Sequence, residues 1–140
     1  MRNEITVQID APAERVWRVM ADLERWPEWT PTMASVKRLD NGEFRLGSRA
    51  RIRQPKLMGA VWKVSSMVPG RSFELQNSSA GLRSVAGHRI EPQTDSCKVT
   101  IWVEHTGVIT PLIGYFFNDI TRQYLQQEAE GLKKRCEGQQ

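Results

Sequence analysis

His88 and His105 are the only two histidines in a chain of 140 residues. Both fall on the apolar side of alternating segments. A neutral imidazole in an apolar setting can act as a general base, or can hydrogen-bond a ligand carbonyl or hydroxyl. It can equally be a core histidine satisfied by a backbone group. His105, two residues before Gly107, reads as a strand-end residue reaching water, which leaves His88 as the one candidate catalytic residue. Two histidines without a third ligand fall short of a zinc site, so no metal is expected. Trp26 and Trp29 flank Pro27 and place two indoles around a rigid kink. They can rim a cavity and stack on a flat ligand, or anchor a helix onto a sheet, and at least one is assigned the anchoring role. Gln54, Ser66, Asn77 and Ser84 are further polar residues on apolar faces. Buried polar groups need partners, so several on one sheet point to a cavity holding water or a polar ligand. Asn77 also reads as a turn residue and Gln54 as a strand end. Tyr124 carries a hydroxyl able to orient a ligand, whereas Asp119 lies off the apolar stripe and reads as solvated.

Other chemistry is missing from the pattern. There is no GxSxG, no Cys–His pairing at local spacing and no Gly-rich phosphate loop. The inward strand positions carry no carboxylate. A binding pocket is therefore favoured over an active site, and no cofactor is expected.

The elements that must position these residues follow from periodicity. Ile5, Val7 and Ile9 alternate with Glu4, Thr6 and Gln8, a half-buried strand over 3–9. Asp10 to Glu14 reads as a capped helix start with Pro12 in the first turn, and Ala13, Val16, Trp17 and Met20 share a helical face. Asp22 to Trp26 adds a turn that Pro27 should stop. Strands are then expected over 32–39, 48–54, 60–68, 72–77, 82–90 and 98–105. Within them Trp62, Val64, Ser66 and Val68 share one face, as do Phe73, Leu75 and Asn77, while Arg49, Arg51 and Arg53 face solvent. From Thr110, read as an N-cap with Pro111 behind it, to Cys136, apolar residues recur in three- and four-residue steps. This is a long amphipathic helix whose stripe needs a partner surface. Strands linked by hairpin-length turns make an antiparallel sheet with one face to bury.

Composition bounds the function. With 39% hydrophobic and 26% charged residues the chain reads as one ordinary globular domain over 1–140. Its net charge of +4 is scattered, so strand faces in solvent explain it without a nucleic-acid partner. Cys97 and Cys136 lack CxxC spacing and read as reduced, semi-buried residues of a cytoplasmic protein. No apolar run reaches the ~18 residues of a membrane span, so no stable membrane insertion is expected.

Several stretches, taken in order, resemble the START-like (SRPBCC) superfamily, and within it the polyketide cyclase/dehydrase branch. They are Ala11 to Trp17, Asp22 to Trp29, Leu46 to Ser48, Val68 to Phe73, Gly87 to Pro92 and Gln127 to Lys133. The resemblance implies an α+β helix-grip (START/Bet v 1-like) fold. In it a curved antiparallel sheet of about seven strands wraps a long C-terminal helix, with two short helices after the first strand and a deep apolar cavity between. The expected ligand is then a small hydrophobic or aromatic molecule, polyketide-, lipid- or quinone-like, bound by a monomer or homodimer. The expected contacts are Trp26, Trp29, Ile52, Trp62, Phe73 and Asn77 on one side. His88, Ile101, Phe116, Phe117, Ile120 and Tyr124 complete them. The alternative is a polyketide cyclase/dehydratase-type enzyme with His88 as base. A third reading is an interaction module working through the Arg49, Arg51 and Arg53 face.

Overall fold

A computed structural model describes residues 1–138, apart from the side chains of Ile113, Tyr115, Phe116 and Phe117. Strand β1 (Arg2–Ile9) leads into helix α1 (Ala13–Ala21) and a short 3₁₀ helix, Leu23–Glu28. Strands β2 (Ser35–Arg38), β3 (Arg49–Arg53), β4 (Ala60–Val68), β5 (Ser72–Ser79), β6 (Leu82–Pro92) and β7 (Cys97–Thr106) follow, and helix α2 (Thr110–Glu137) closes the chain. All seven strands form one antiparallel sheet in the order β1-β7-β6-β5-β4-β3-β2. Sequential hairpins account for β2 through β7. The first strand returns beside the last, Ile5 opposite Ile101, a pairing no local signal announces.

The alternation in each strand places one row of side chains under α2. The helix buries Leu125, Ala129, Leu132 and Cys136 in a core shared with Ile9, Val16, Met20 and Val99. Its close main-chain approaches are to β1, β7 and α1. Strands β3 to β6 curve away from it, and the site opens in that gap. Gly131 permits a further close approach, to the loop before β2. A Cβ there would lie 1.9 Å from the Trp29 carbonyl oxygen at the end of the 3₁₀ helix. No helix among the described residues is long and apolar enough to cross a membrane.

Four local expectations change. The run Trp62, Val64, Ser66 and Val68 is broken by a slip in the β4–β5 ladder between Val64 and Ser66. Past this bulge Met67 faces inward opposite Phe73, Ser66 is exposed and Val68 is 54% exposed. One extra residue reverses every later side chain. The strand expected from Thr32 begins only at Ser35, because Thr30 and Thr32 are buried in a turn where their hydroxyls hydrogen-bond each other at 2.9 Å. Pro27 does not stop its helix but sits inside the 3₁₀ turn, whose sparser hydrogen bonding tolerates a missing N–H. Ile109, not Thr110, occupies the N-cap of α2, and Pro12 that of α1; neither makes a side-chain cap.

Candidate functional site

Between the sheet and α2 lies a cavity of about 570 Å³. Ile52 of β3, Trp62 of β4, Leu75 and Asn77 of β5 and Ser84, Ala86 and His88 of β6 line its sheet side, with Ile101, Val103 and His105 of β7. Helix α2 contributes Ile120, Thr121, Tyr124, Leu125 and Glu128, which recur in steps of one, three and four residues along one face. The β3–β4 connection lies at the mouth, with Lys56, Leu57 and the 92% exposed Met58. The Tyr124 hydroxyl donates to the Pro55 carbonyl, tying helix to connection across that mouth. Burial pushes the phenol's pKa up, so the hydroxyl keeps the proton this bond needs.

Eight expected contacts line this cavity: Trp26, Ile52, Trp62, Asn77, His88, Ile101, Ile120 and Tyr124. Phe116 and Phe117 lie outside the residues whose side chains are described. Two expectations are corrected. Phe73 is fully buried and does not reach the cavity, because Trp17, Phe44 and His88 pack on its ring at centroid distances of 5.8, 5.0 and 4.8 Å. Trp29 sits outside as well, edge-on to Trp26 and beneath Gly131, so it anchors the 3₁₀ helix to α2. Its neighbour Trp26 both anchors and lines, its indole N–H donating to the Met20 carbonyl at 3.0 Å. Gln54, read as a strand end, lines the cavity near its mouth. Asn77 donates its amide to the Val61 carbonyl at 2.8 Å, which fixes the side chain within β5 rather than in a turn.

His105 is the larger revision. It is buried, not a strand end open to water, because the backbone of Met1 continues the ladder beside it, accepting from the His105 N–H at 2.8 Å. Its ring joins a polar chain on the cavity wall: Ser84 Oγ to Nδ1 at 2.8 Å, and Nε2 to Thr121 Oγ1 at 3.4 Å. Burial lowers the His105 pKa, and the positive amino group of Met1 adds to the effect. The neutral ring is therefore held between two hydroxyls.

Sequence reasoning missed Glu128. It is 6% exposed and lines the cavity, with Oε2 lying 3.4 Å from Nε2 of His88, itself 2% exposed. That is longer than a good charge-assisted hydrogen bond, and neither His88 nitrogen has a hydrogen-bond partner among the described residues. The imidazole is stacked on Phe73 at an interplanar angle of 19° and tilted against Trp26 at 5.4 Å. The signal for Glu128 was its place four residues beyond Tyr124 and four before Leu132, on the stripe itself. A buried imidazole beside a buried carboxylate can orient a polar ligand group or relay a proton.

Neither cysteine is placed to act as a nucleophile. Cys97 and Cys136 are free and fully buried, and burial pushes the Cys136 thiol up to about 12. A thiol so protonated is no nucleophile. Among the described residues no three of His, Cys, Asp and Glu gather where they could hold a metal ion.

The comparisons with known proteins agree with this architecture. The family model described as polyketide cyclase / dehydrase and lipid transport matches residues 2–137. A START superfamily protein from Mycobacterium smegmatis superposes with a TM-score of 0.81 at 17% identity, covering 97% of each chain. Truncated norcoclaurine synthase from Thalictrum flavum gives 0.77 at 14% identity, covering 100% of this chain and 95% of that one. The di-domain ARO/CYC protein BexL from the BE-7585A biosynthetic pathway gives 0.75 at 19% identity. There the match covers 95% of this chain but spans only 45% of the other. At such identities these structures bear on the fold, a seven-stranded antiparallel sheet gripping a long C-terminal helix.

Proposed function

We propose a function from one premise: the chain belongs to the polyketide cyclase / dehydrase and lipid transport family. The chain acts as one unit that binds a small hydrophobic or aromatic molecule in the cavity between the sheet and α2. The observation that carries this reading is the cavity itself. Its 570 Å³ falls within the ~300–1,000 Å³ of sites for drug-sized ligands. Its walls combine Trp62, Ile52, Ile101, Ile120 and Leu125 with a few polar groups, a lining suited to a flat apolar body with polar substituents. Burying ~300 Å² of apolar ligand surface contributes about 7 kcal/mol before the costs of association. Trp26 and Trp62 supply ring faces, while Asn77, His88 and Tyr124 fix orientation.

Native mass spectrometry of gently purified protein, followed by solvent extraction, tests this. A stoichiometric small hydrophobic adduct is expected, or failing that a rise in melting temperature with polycyclic aromatics, quinones or lipids. A bare mass together with no thermal shift across such a panel overturns the reading.

The second reading is a polyketide cyclase/dehydratase-type enzyme. It is favoured by one observation, the sharing of a buried apolar cavity by His88 and Glu128. The two readings separate on His88→Ala. A carrier keeps its ligand with a modest loss of affinity, and an enzyme loses turnover of the extracted compound while still binding it.

A further inference from the structure

The geometry points to a hydroxyl-binding subsite at the His88–Glu128 pair, so that the preferred ligand class is a hydroxylated polycyclic or aromatic molecule. The inference rests on the cavity being a ligand site.

The pair is poorly made as a purely structural contact. A charge-assisted N–H to carboxylate hydrogen bond settles at ~2.7–2.9 Å with good alignment. Here the approach is 3.4 Å, and Nε2 is left without a hydrogen bond among the described residues. Nδ1 of His88 is likewise without a partner among the described residues. Glu128 takes no hydrogen bond from any described residue, although only 6% of it is exposed and it lines the cavity. Buried polar groups in native proteins are nearly all satisfied, and an unsatisfied charge is the most costly exception. The neighbouring polar groups do not share this need. Ser84, His105 and Thr121 already bond one another, as Asn77 bonds Val61.

The choice of ligand group follows by elimination. A carboxylate only accepts, and an imidazole presents at least one N–H. A ligand carboxylate would be repelled by an ionised Glu128. A carbonyl or ether would accept from His88 and leave Glu128 bare. With the proton on Nε2, the nitrogen that faces Glu128, an ammonium would satisfy Glu128 but give His88 nothing to donate to. A hydroxyl does both at once, its O–H donating to Glu128 and its oxygen accepting from His88. The rings it is attached to would lie on Trp26 and along Leu125 and Ile101, which line the same cavity.

The test compares hydroxypyrene, methoxypyrene and pyrene by fluorescence titration against the wild type, Glu128→Leu and Glu128→Gln. The wild type should bind hydroxypyrene at least about ten-fold tighter than the methyl ether. Glu128→Leu should cut that preference to about two-fold or less while holding pyrene as before, and Glu128→Gln should fall between. If Glu128→Leu does not fold, Glu128→Gln carries the comparison through its reduced preference. Equal affinity for alcohol and ether in the wild type, or a preference that survives both substitutions, overturns the subsite and leaves the apolar cavity standing. Failure of the wild type to bind any of the three overturns the cavity reading for this ligand class, and the subsite with it.

Discussion

Replacing His88 by Phe and Glu128 by Leu together should stabilise the protein. A buried pair exchanged for well-packed apolar residues of similar shape is commonly neutral or stabilising by ~1–4 kcal/mol, because two desolvated polar groups are removed at once. This pair stands at the favourable end, since its 3.4 Å separation and missing hydrogen bonds recover little of the desolvation. The Phe ring would keep the stack that His88 makes on Phe73 at 4.8 Å, and the contact with Trp26. Such ring pairs are worth ~0.5–1.5 kcal/mol beyond their burial. A net gain of about 2 kcal/mol is expected, which for a chain of 140 residues raises the melting temperature by ~6 °C. His88→Phe alone should instead lose ~3 kcal/mol, because it leaves the carboxylate buried without its neighbour. Differential scanning calorimetry and urea titration of the wild type, both single variants (His88→Phe and Glu128→Leu) and the double variant give the full cycle. A double variant less stable than the wild type by 1 kcal/mol or more, by the ~1 kcal/mol scale of one net hydrogen bond, refutes the reasoning. The pair would then be holding the fold rather than waiting for a ligand.

Three further outcomes are expected. Gly131→Ala should cost about 2 kcal/mol in urea denaturation despite better helix propensity, because its Cβ would meet the Trp29 carbonyl oxygen at 1.9 Å and α2 must move off the 3₁₀ helix. His105 should make stability fall with acid: its folded pKa is depressed by burial, so below the ordinary ~6.5 the unfolded chain binds the extra proton and the folded one resists it. Above that pH the effect is absent, and urea midpoints from pH 7 downward should decline more steeply for the wild type than for His105→Gln. Tyr124→Phe removes the bond to the Pro55 carbonyl across the mouth, and should speed ligand release by roughly three- to ten-fold in stopped-flow measurements, with apolar contacts unchanged.

The fold was legible because one sheet face and one helix stripe are buried, and burial imposes periods of two and 3.6 on the chain. What that rule cannot separate is a core wall from a cavity wall. Phe73 and Ile101 obey the same alternation, yet one is sealed among aromatic rings and the other lines the hollow. The difference depends on how far strands and helix stand apart, a quantity no residue announces. Glu128 escaped notice for a related reason: a carboxylate on an amphipathic helix ordinarily faces water, so its position on the stripe was outweighed by its type. His105 was misplaced because its cover comes from Met1, more than a hundred residues away in the chain. The bulge in β4 was hidden because Ser65 and Ser66 suit either face.

That bulge carries a geometric consequence. Strand β4 has one residue more than β5 needs between Val64 and Ser66, and an extra residue bends and twists its strand. Removing Ser65 would restore an unbroken ladder, with Val64 inward, Ser66 outward and Met67 inward, so no side chain would change sides. Only the bend would go. Losing the bend would change the spacing between β4 and α2, and with it the space beneath. The width of the hollow is thus written partly in a count of residues rather than in the identity of any one, and a one-codon deletion could resize it while leaving every lining residue in place.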